Sequence, residues 1–448
     1  MAEAGAAVAY AAKNLVEGAA LLAKGIYDPT LPLKATLQPI TDVEVPQAYH
    51  SLVVVKGRAY MFGGKTIAEG GEGEELADND MHVVILPSSG VESTDYQRLS
   101  AAEGAPPRRW GHSAAVVQDR IYIYGGSDQD SGEPLDEQGR VWVFDTTRGS
   151  WYYLDAVPES KPPPPRTQHA SVASEHPQPV QRRTDEGAAP QLPMDPAKHV
   201  PEPPAPDTFG TIIVQGGKGK EGEQLSDIWA FDLSSRTWAE LPQLPSPMSG
   251  SGSLAMTEKR LYAFSQGQTS YIDLTEGAFD DRSGQGELGL TPLGPWCTLA
   301  SSPAGSKEGE ELNHPGSREG ASLIPVTTGQ GRNYLLLIGG YSPATSEPLQ
   351  DLWALQLKPD GMTAASFKDA ARQAISKETG EMLWEEVKYY TPDGVMIQES
   401  QRGRGIGARK GFAAGKGSEV DGASVVIWGG VGDDGKIQKD GLRVTVDR

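Results

Sequence analysis

Four arginines occupy one position of a recurring sequence pattern: Arg109 in Arg109-Trp110-Gly111-His112, Arg166 in Arg166-Thr167-Gln168-His169, Arg318 in Arg318-Glu319-Gly320-Ala321, and Arg409 in Arg409-Lys410-Gly411-Phe412. A guanidinium carries its donors in a planar fork that matches carboxylate and phosphate oxygens, so four of them at one level define a candidate site for an anionic ligand or an acidic peptide. His50, His112 and His169 also hold equivalent positions. Their recurrence points to hydrogen bonds between successive units rather than to a metal site. Trp110 departs from its counterparts, and an aromatic at the same level is a candidate recognition anchor.

The elements that must position these side chains are visible as a repeat. A short apolar strand ends in a glycine pair at Tyr60-Met61-Phe62-Gly63-Gly64, Ile121-Tyr122-Ile123-Tyr124-Gly125-Gly126, Ile212-Ile213-Val214-Gln215-Gly216-Gly217, Leu336-Leu337-Ile338-Gly339-Gly340 and Val426-Ile427-Trp428-Gly429-Gly430. Leu261 to Gly267 is a sixth, degenerate copy. Downstream of most copies runs a second strand such as Asp227-Ile228-Trp229-Ala230-Phe231-Asp232 or Asp351-Leu352-Trp353-Ala354-Leu355, then a lone tryptophan at Trp151, Trp238, Trp296 or Trp384. Upstream lies a strand of small residues, as in His112-Ser113-Ala114-Ala115. Four strands too short to bury a face alone make sense as blades set radially, each sheet covering the next. The glycine pair lets the chain turn near a crowded axis, and the trailing tryptophan supplies an apolar wedge between blades.

The Gly-Gly, the Asp-x-Trp strand and the trailing Trp resemble the kelch motif, and the resemblance covers nearly everything from about Leu33 onward. It implies an all-β, six-bladed propeller over 33–448 after an N-terminal helical segment, 1–32. The last unit ends on a third strand, Leu442 to Val446, without a fourth, and the unassigned strand 33–40 is expected to supply it and close the ring. The resemblance also implies a structural explanation for the arginines, because kelch repeats carry an Arg here as part of the repeat. Glu74, Asp78 and His82, four apart in turn, are similar to the Glu/Asp/His iron-binding trio of the plant nitrile-specifier and thiocyanate-forming proteins, themselves kelch propellers. Oxygen and imidazole ligands suit non-haem iron(II).

Residues 174–207, rich in Pro, Glu, Gln and Arg, read as a disordered insertion. Residues 362–377 carry Ala364, Ala365, Phe367, Ala370, Ala371, Ala374 and Ile375 at helical spacing after the cap Thr363, predicting a surface helix on the fifth blade. In the N-terminal segment, Val8, Leu15 and Leu22 stand a heptad apart, predicting a helix that docks on the propeller, or else on a separate partner or a membrane surface.

The formal net charge of −20 argues against a nucleic-acid backbone as the main partner. Cys297 is the single cysteine, so an intrachain disulfide and a cysteine-based metal site are excluded. Residues 4–23 are alanine-rich, but Glu3, Lys13, Glu17 and Lys24 do not suit a signal peptide, and no stretch reaches the length of a membrane span. The expectation is a monomeric cytoplasmic propeller, off the membrane, that binds a protein partner through a loop face bearing Arg109, Trp110, Arg166, Arg318 and Arg409, with no cofactor. The alternative is a specifier-like or lyase-like enzyme with a small-molecule pocket at the channel mouth, in an iron-dependent form if Glu74, Asp78 and His82 are ligands.

Overall fold

Apolar runs of five residues punctuated by glycines and Asp-initiated turns give short antiparallel strands. The computed structural model arranges them as six sheets around one axis. It describes residues 29–447 except 69–72, 87–93, 129–130, 179–207, 246–251, 277–288, 300–313, 329–330, 360, 362, 376, 378, 398–405 and 418–422. The expected N-terminal helix and most of the 174–207 insertion lie outside the described residues.

The first blade is Ser51–Val55, Arg58–Phe62, Met81–Ile85 and Asp95–Leu99, innermost strand first, and the second is Ser113–Val117, Arg120–Tyr124, Val141–Asp145 and Ser150–Leu154. The third runs Ala170–Ser174, Thr211–Lys218, Gln224–Asp232 and Thr237–Leu241. In the fourth, Arg260–Ser265 and Gln268–Glu276 are joined by Gln266-Gly267, both at positive φ (49° and 78°), the geometry of a two-residue type I′ hairpin. That tight turn explains why this copy of the repeat reads as degenerate: it replaces the longer loop that follows the glycine pair elsewhere. The fifth blade is Ser322–Thr328, Arg332–Ile338, Leu352–Gln356 and Trp384–Glu386.

The sixth blade is assembled from three stretches of chain. Ala413–Lys416, Ser424–Trp428 and Gly441–Asp447 follow in order, Lys34–Ile40 pairs antiparallel with Gly441–Asp447 along its whole length, and Lys388–Tyr390 adds a parallel outer strand on Lys34–Thr36. Beyond Thr36 the strand has a neighbour on one side only, which is where Pro39 and its missing N–H are tolerated.

Apolar side chains sit between sheets, and each of six clusters bridges one pair of neighbouring blades. Met61 and Trp428 belong to the cluster joining the first and sixth blades, and Leu37, Leu336 and Val444 to the one joining the fifth and sixth. The trailing tryptophans tie the wedges: Trp238 Nε1 donates to Gly139 O, Trp296 Nε1 to Pro242 O and Trp384 Nε1 to Thr269 Oγ1, each on the preceding blade.

One helix, α1 (Ala364–Ala374), is inserted before the last strand of the fifth blade, and Thr363 and Ser366 cap it reciprocally. Its packing corrects the sequence expectation. The buried face is Ala365, Lys368, Asp369 and Arg372, while Phe367 and Ile375 are exposed.

Candidate functional site

The arginines sit where each inner strand begins, on the face of the ring that also carries the glycine pairs. The structure buries them. Arg109 and Arg166 have no solvent exposure and Arg318 and Arg409 almost none. Arg166 Nη1 and Nη2 donate to Asp227 Oδ1 and Oδ2 at 2.9 and 2.8 Å, and Nη1 also donates to Gly216 O at 3.0 Å. Arg318 repeats the arrangement with Asp351 and Gly339, and Arg109 with Glu137 and Gly125. Arg409 donates to Gly429 O and pairs more loosely with Asp440 at 3.6 Å. In three blades a third-strand indole completes the group: Trp142 Nε1 donates to Glu137, Trp229 Nε1 to Asp227 and Trp353 Nε1 to Asp351.

Each guanidinium therefore clasps the first glycine of the pair to the start of the third strand. The forks of Arg109, Arg166 and Arg318 are filled by a carboxylate of their own blade, and Arg409 stands more loosely against Asp440, which corrects the expectation of an open cationic ring. The clasp needs glycine where the next blade comes close: at Gly125, with φ +63°, a Cβ would lie 2.6 Å from Arg166 O and 2.8 Å from His169 Cε1.

The histidines link blades. His112 Nε2 lies 2.9 Å from Ser51 Oγ, and His169 Nε2 lies 2.8 Å from Ser113 Oγ, one blade back in each case. Between the fourth and fifth blades Ser253 Oγ donates to Ala321 O instead. Burial holds the imidazoles neutral: His50 and His169 are pushed down to about 3, and His112 falls well below its ordinary value. Neither ring nitrogen of His50 has a hydrogen-bond partner among the described residues.

Trp110 is also buried, 5.7 Å edge-on from Tyr49 with Lys65 Nζ over its ring at 4.6 Å. An exposed anchor there is thus corrected to a packed one.

Glu74, Asp78 and His82 are not brought together. His82 Nε2 is 3.3 Å from Asp78 Oδ1 and its Nδ1 is 2.7 Å from Tyr96 Oη, so both ring nitrogens are engaged. Arg98 Nη2 donates to Asp78 Oδ2, and Glu74 stands in a separate hairpin, 3.9 Å from Lys65 Nζ. Burial lowers the pKa of His82. Among the described residues no three His, Cys, Asp or Glu side chains gather as a metal ion would require.

What the ring does hold on its axis is a cavity of about 490 Å³, opening on the glycine-pair face and lined by residues of all six blades, among them Tyr49, Gln168, Ser253, Tyr341, Lys218 and Lys410. Tyr49 and Gln168 take the left-handed conformation, φ 55° and 54°, at the position where other blades have Gly111, Gly320 and Gly411. A side chain costs energy in that conformation, and such outliers cluster at ligand-facing sites. Backbone hydrogen bonds lock the two in place: Tyr49 N donates to Gly411 O, Gly111 N to Tyr49 O and Gln168 N to Gly111 O. Among the described residues of the lining, Lys218 and Lys410 carry charge and none is a carboxylate. Burial, then the charge of Glu74, raises the Tyr49 pKa. Tyr341 Oη donates to Glu319 Oε2 at 2.6 Å.

A ring of six sheets of four or five strands with one interblade core per junction is a β-propeller. Residues 34–178 match the family model described as the KLHDC2/KLHL20/DRC7 Kelch-repeats domain. The chain is 26% identical over 227 residues to an F-box/kelch-repeat protein of Arabidopsis thaliana, covering 49% of this chain and 39% of that protein. It is 25% identical over 376 residues to acyl-CoA-binding domain-containing protein 4 of the same plant, with coverage of 68% and 53%, and 25% identical over 202 residues to N-(sulfonatooxy)prop-2-enimidothioate sulfolyase of Thlaspi arvense, with coverage of 45% and 45%. The chain thus spans about half the length of these relatives. Its fold is a six-bladed β-propeller, and its residues 34–178 match kelch repeats. No helix among the described residues is long and apolar enough to cross a membrane.

Proposed function

We propose that the chain is a protein-interaction module that receives an acidic segment of a partner protein in its axial cavity, on the glycine-pair face. The observation that carries this reading is the cavity lining: among the described residues it has two lysines and no carboxylate, in a chain whose formal net charge is −20. Carboxylates elsewhere on the surface repel an acidic segment, so its favourable approach is to this one mouth. The hydroxyls and amides of Tyr49, Gln168, Ser253 and Tyr341 offer hydrogen bonds around the lysines, and the rigid scaffold keeps the ordering cost of the receiving surface low. The buried arginines act indirectly by fixing the loops around the mouth. The similarity to kelch proteins of the F-box kind supports an interaction role.

Likeness to a sulfolyase supports a second reading, a small-molecule lyase using the same cavity. An iron-dependent version is not supported, because His82 and Asp78 are committed to Tyr96 and Arg98.

Fluorescence anisotropy with a labelled library of acidic peptides tests the interaction. Lys218→Glu together with Lys410→Glu should weaken binding at least tenfold and leave the Tm unchanged, while Lys259→Glu on the opposite face should have no effect. Equal binding by all three proteins would overturn the reading.

A further inference from the structure

The axial cavity does not end at its rim. Gln168 and Lys218 line it and also line a groove of about 570 Å³ between the loops of the second and third blades. On the second-blade side the groove is walled by Trp110 and Gly132, packed so closely that a Cβ on Gly132 would lie 3.4 Å from Trp110 Cζ2. The other wall is a hairpin of the third blade, whose strands stay paired as far as Lys218 and Gln224. Lys218 N donates to Thr167 O and Thr167 N to Lys218 O, so the rim shared by the two cavities is fixed to the start of the inner strand.

The charges of the groove define what it can take. Lys218 is exposed, and its ammonium has no partner among the described residues. Lys220 reaches across to the facing loop, where its Nζ donates to Asp136 Oδ2 at 2.8 Å. Both members of that pair are about half exposed, and an exposed ion pair contributes little stability. One carboxylate can therefore replace another on Lys220 at small cost, and Asp136 holds the place that a carboxylate from outside would take. The Cα atoms of Lys218 and Lys220 stand no more than about 7 Å apart. In an extended peptide alternate side chains share a face at the same spacing, about 7 Å. Glu133 and Glu221 also line the groove, so residues of a ligand that do not meet a lysine there must be uncharged.

We propose that the partner's acidic segment continues from the axial cavity into this groove as an extended chain, acids alternating with uncharged polar residues, one carboxylate on Lys218 and the next on Lys220 in place of Asp136. This path rests on the acidic reading of the axial cavity and adds to it a direction, a spacing and a competitor carried by the protein itself.

Fluorescence anisotropy with a labelled peptide of alternating glutamate and serine tests the path. Asp136→Asn should tighten binding at least threefold and Lys220→Gln should weaken it at least threefold, both at unchanged Tm. In Lys220→Gln the further change Asp136→Asn should have no effect, because the competitor acts only through that lysine. Glu347→Gln removes the same charge from an exposed fifth-blade loop on the same face and should leave the affinity unaltered. In a Cys297→Ser background, Gln224→Cys in the groove should capture a peptide bearing a thiol at either end, and Lys259→Cys on the opposite face should not. Unaltered affinity in Asp136→Asn or in Lys220→Gln, or equal capture by the two cysteines, would overturn the groove path, while loss of binding in Lys218→Glu with Lys410→Glu would still uphold the axial site. A peptide that fails to bind the unaltered protein would overturn both.

Discussion

His169 Nε2 lies 2.8 Å from Ser113 Oγ on the preceding blade. His112 and Ser51 repeat the pair one junction earlier. At the junction of the sixth and first blades the pattern breaks: the repeat position of Ser51 and Ser113 is held there by Ala413, and His50 has no partner at either nitrogen among the described residues. Ala413→Ser should restore the hydroxyl and stabilise the protein by about 1 kcal/mol, the net worth of a buried hydrogen bond. Urea denaturation reads this directly; a midpoint that stays put or falls would show that His50 is not oriented as its counterparts are.

The clasps should matter far more than exposed ion pairs. Arg166 is fully buried and the Asp227 side chain is 16% exposed, whereas Lys220 and Asp136 are both about half exposed. Asp227→Ala strands a buried guanidinium and removes the Trp229 acceptor, at a cost of about 3–5 kcal/mol. Asp136→Ala should cost less than about 1 kcal/mol. Equal losses in denaturant titrations of the two variants would contradict the structural role assigned to the arginines.

Stability should depend on pH through the histidines. His50 and His169 are held down to about 3, and His112 well below normal, while in the unfolded chain each titrates near 6.5. Between these values the unfolded state binds more protons. Stability is therefore fully present above about pH 7 and declines as pH falls through 6.5 toward 3, by about 1.4 kcal/mol per pH unit for each histidine. Denaturation between pH 7 and 5.5 should show a shallower slope, by one proton, in His169→Asn. Parallel curves would rule out a neutral His169 in the native state.

The strand Lys34–Ile40 should behave as core on one side and surface on the other. Leu37, buried between the fifth and sixth blades, should lose about 2–4 kcal/mol on change to alanine, and the neighbouring Gln38, exposed, less than about 0.5 kcal/mol. A register slipped by one residue would reverse the two, and thermal unfolding of the pair distinguishes them.

The ring was legible because its signals are periodic. Glycine pairs, Asp-x-Trp strands and trailing tryptophans recur, so even a degenerate copy at 261–267 could be placed in line. The fate of the arginines was not. Their recurrence was visible, and so was an acid two residues before Trp229 and Trp353, but the link between them runs through folded space, and only the carboxylate's position reveals that the guanidinium is already occupied. Asp227 and Asp351 could have been found by asking which acid recurs in step with each arginine. Helix α1 shows a different limit: an apolar stripe of alanines and Phe367 reads as a buried face, and the competing ion pair of Asp369 depends on Arg332, a residue on a separate strand. Tyr49 and Gln168 carry no sequence signal for a left-handed backbone, since glycine is the residue expected there.

The partnership of Lys34–Ile40 with Gly441–Asp447 has a temporal side. On the ribosome the first of these strands emerges when its mate has not yet been translated, and it must stay unpaired while the five intervening blades are made. Contacts so distant in sequence form slowly, and a bare strand kept waiting is open to rival pairing with other nascent chains. Closure of the ring accordingly follows synthesis of its last strand, and the interval before it is when chaperone protection would count most.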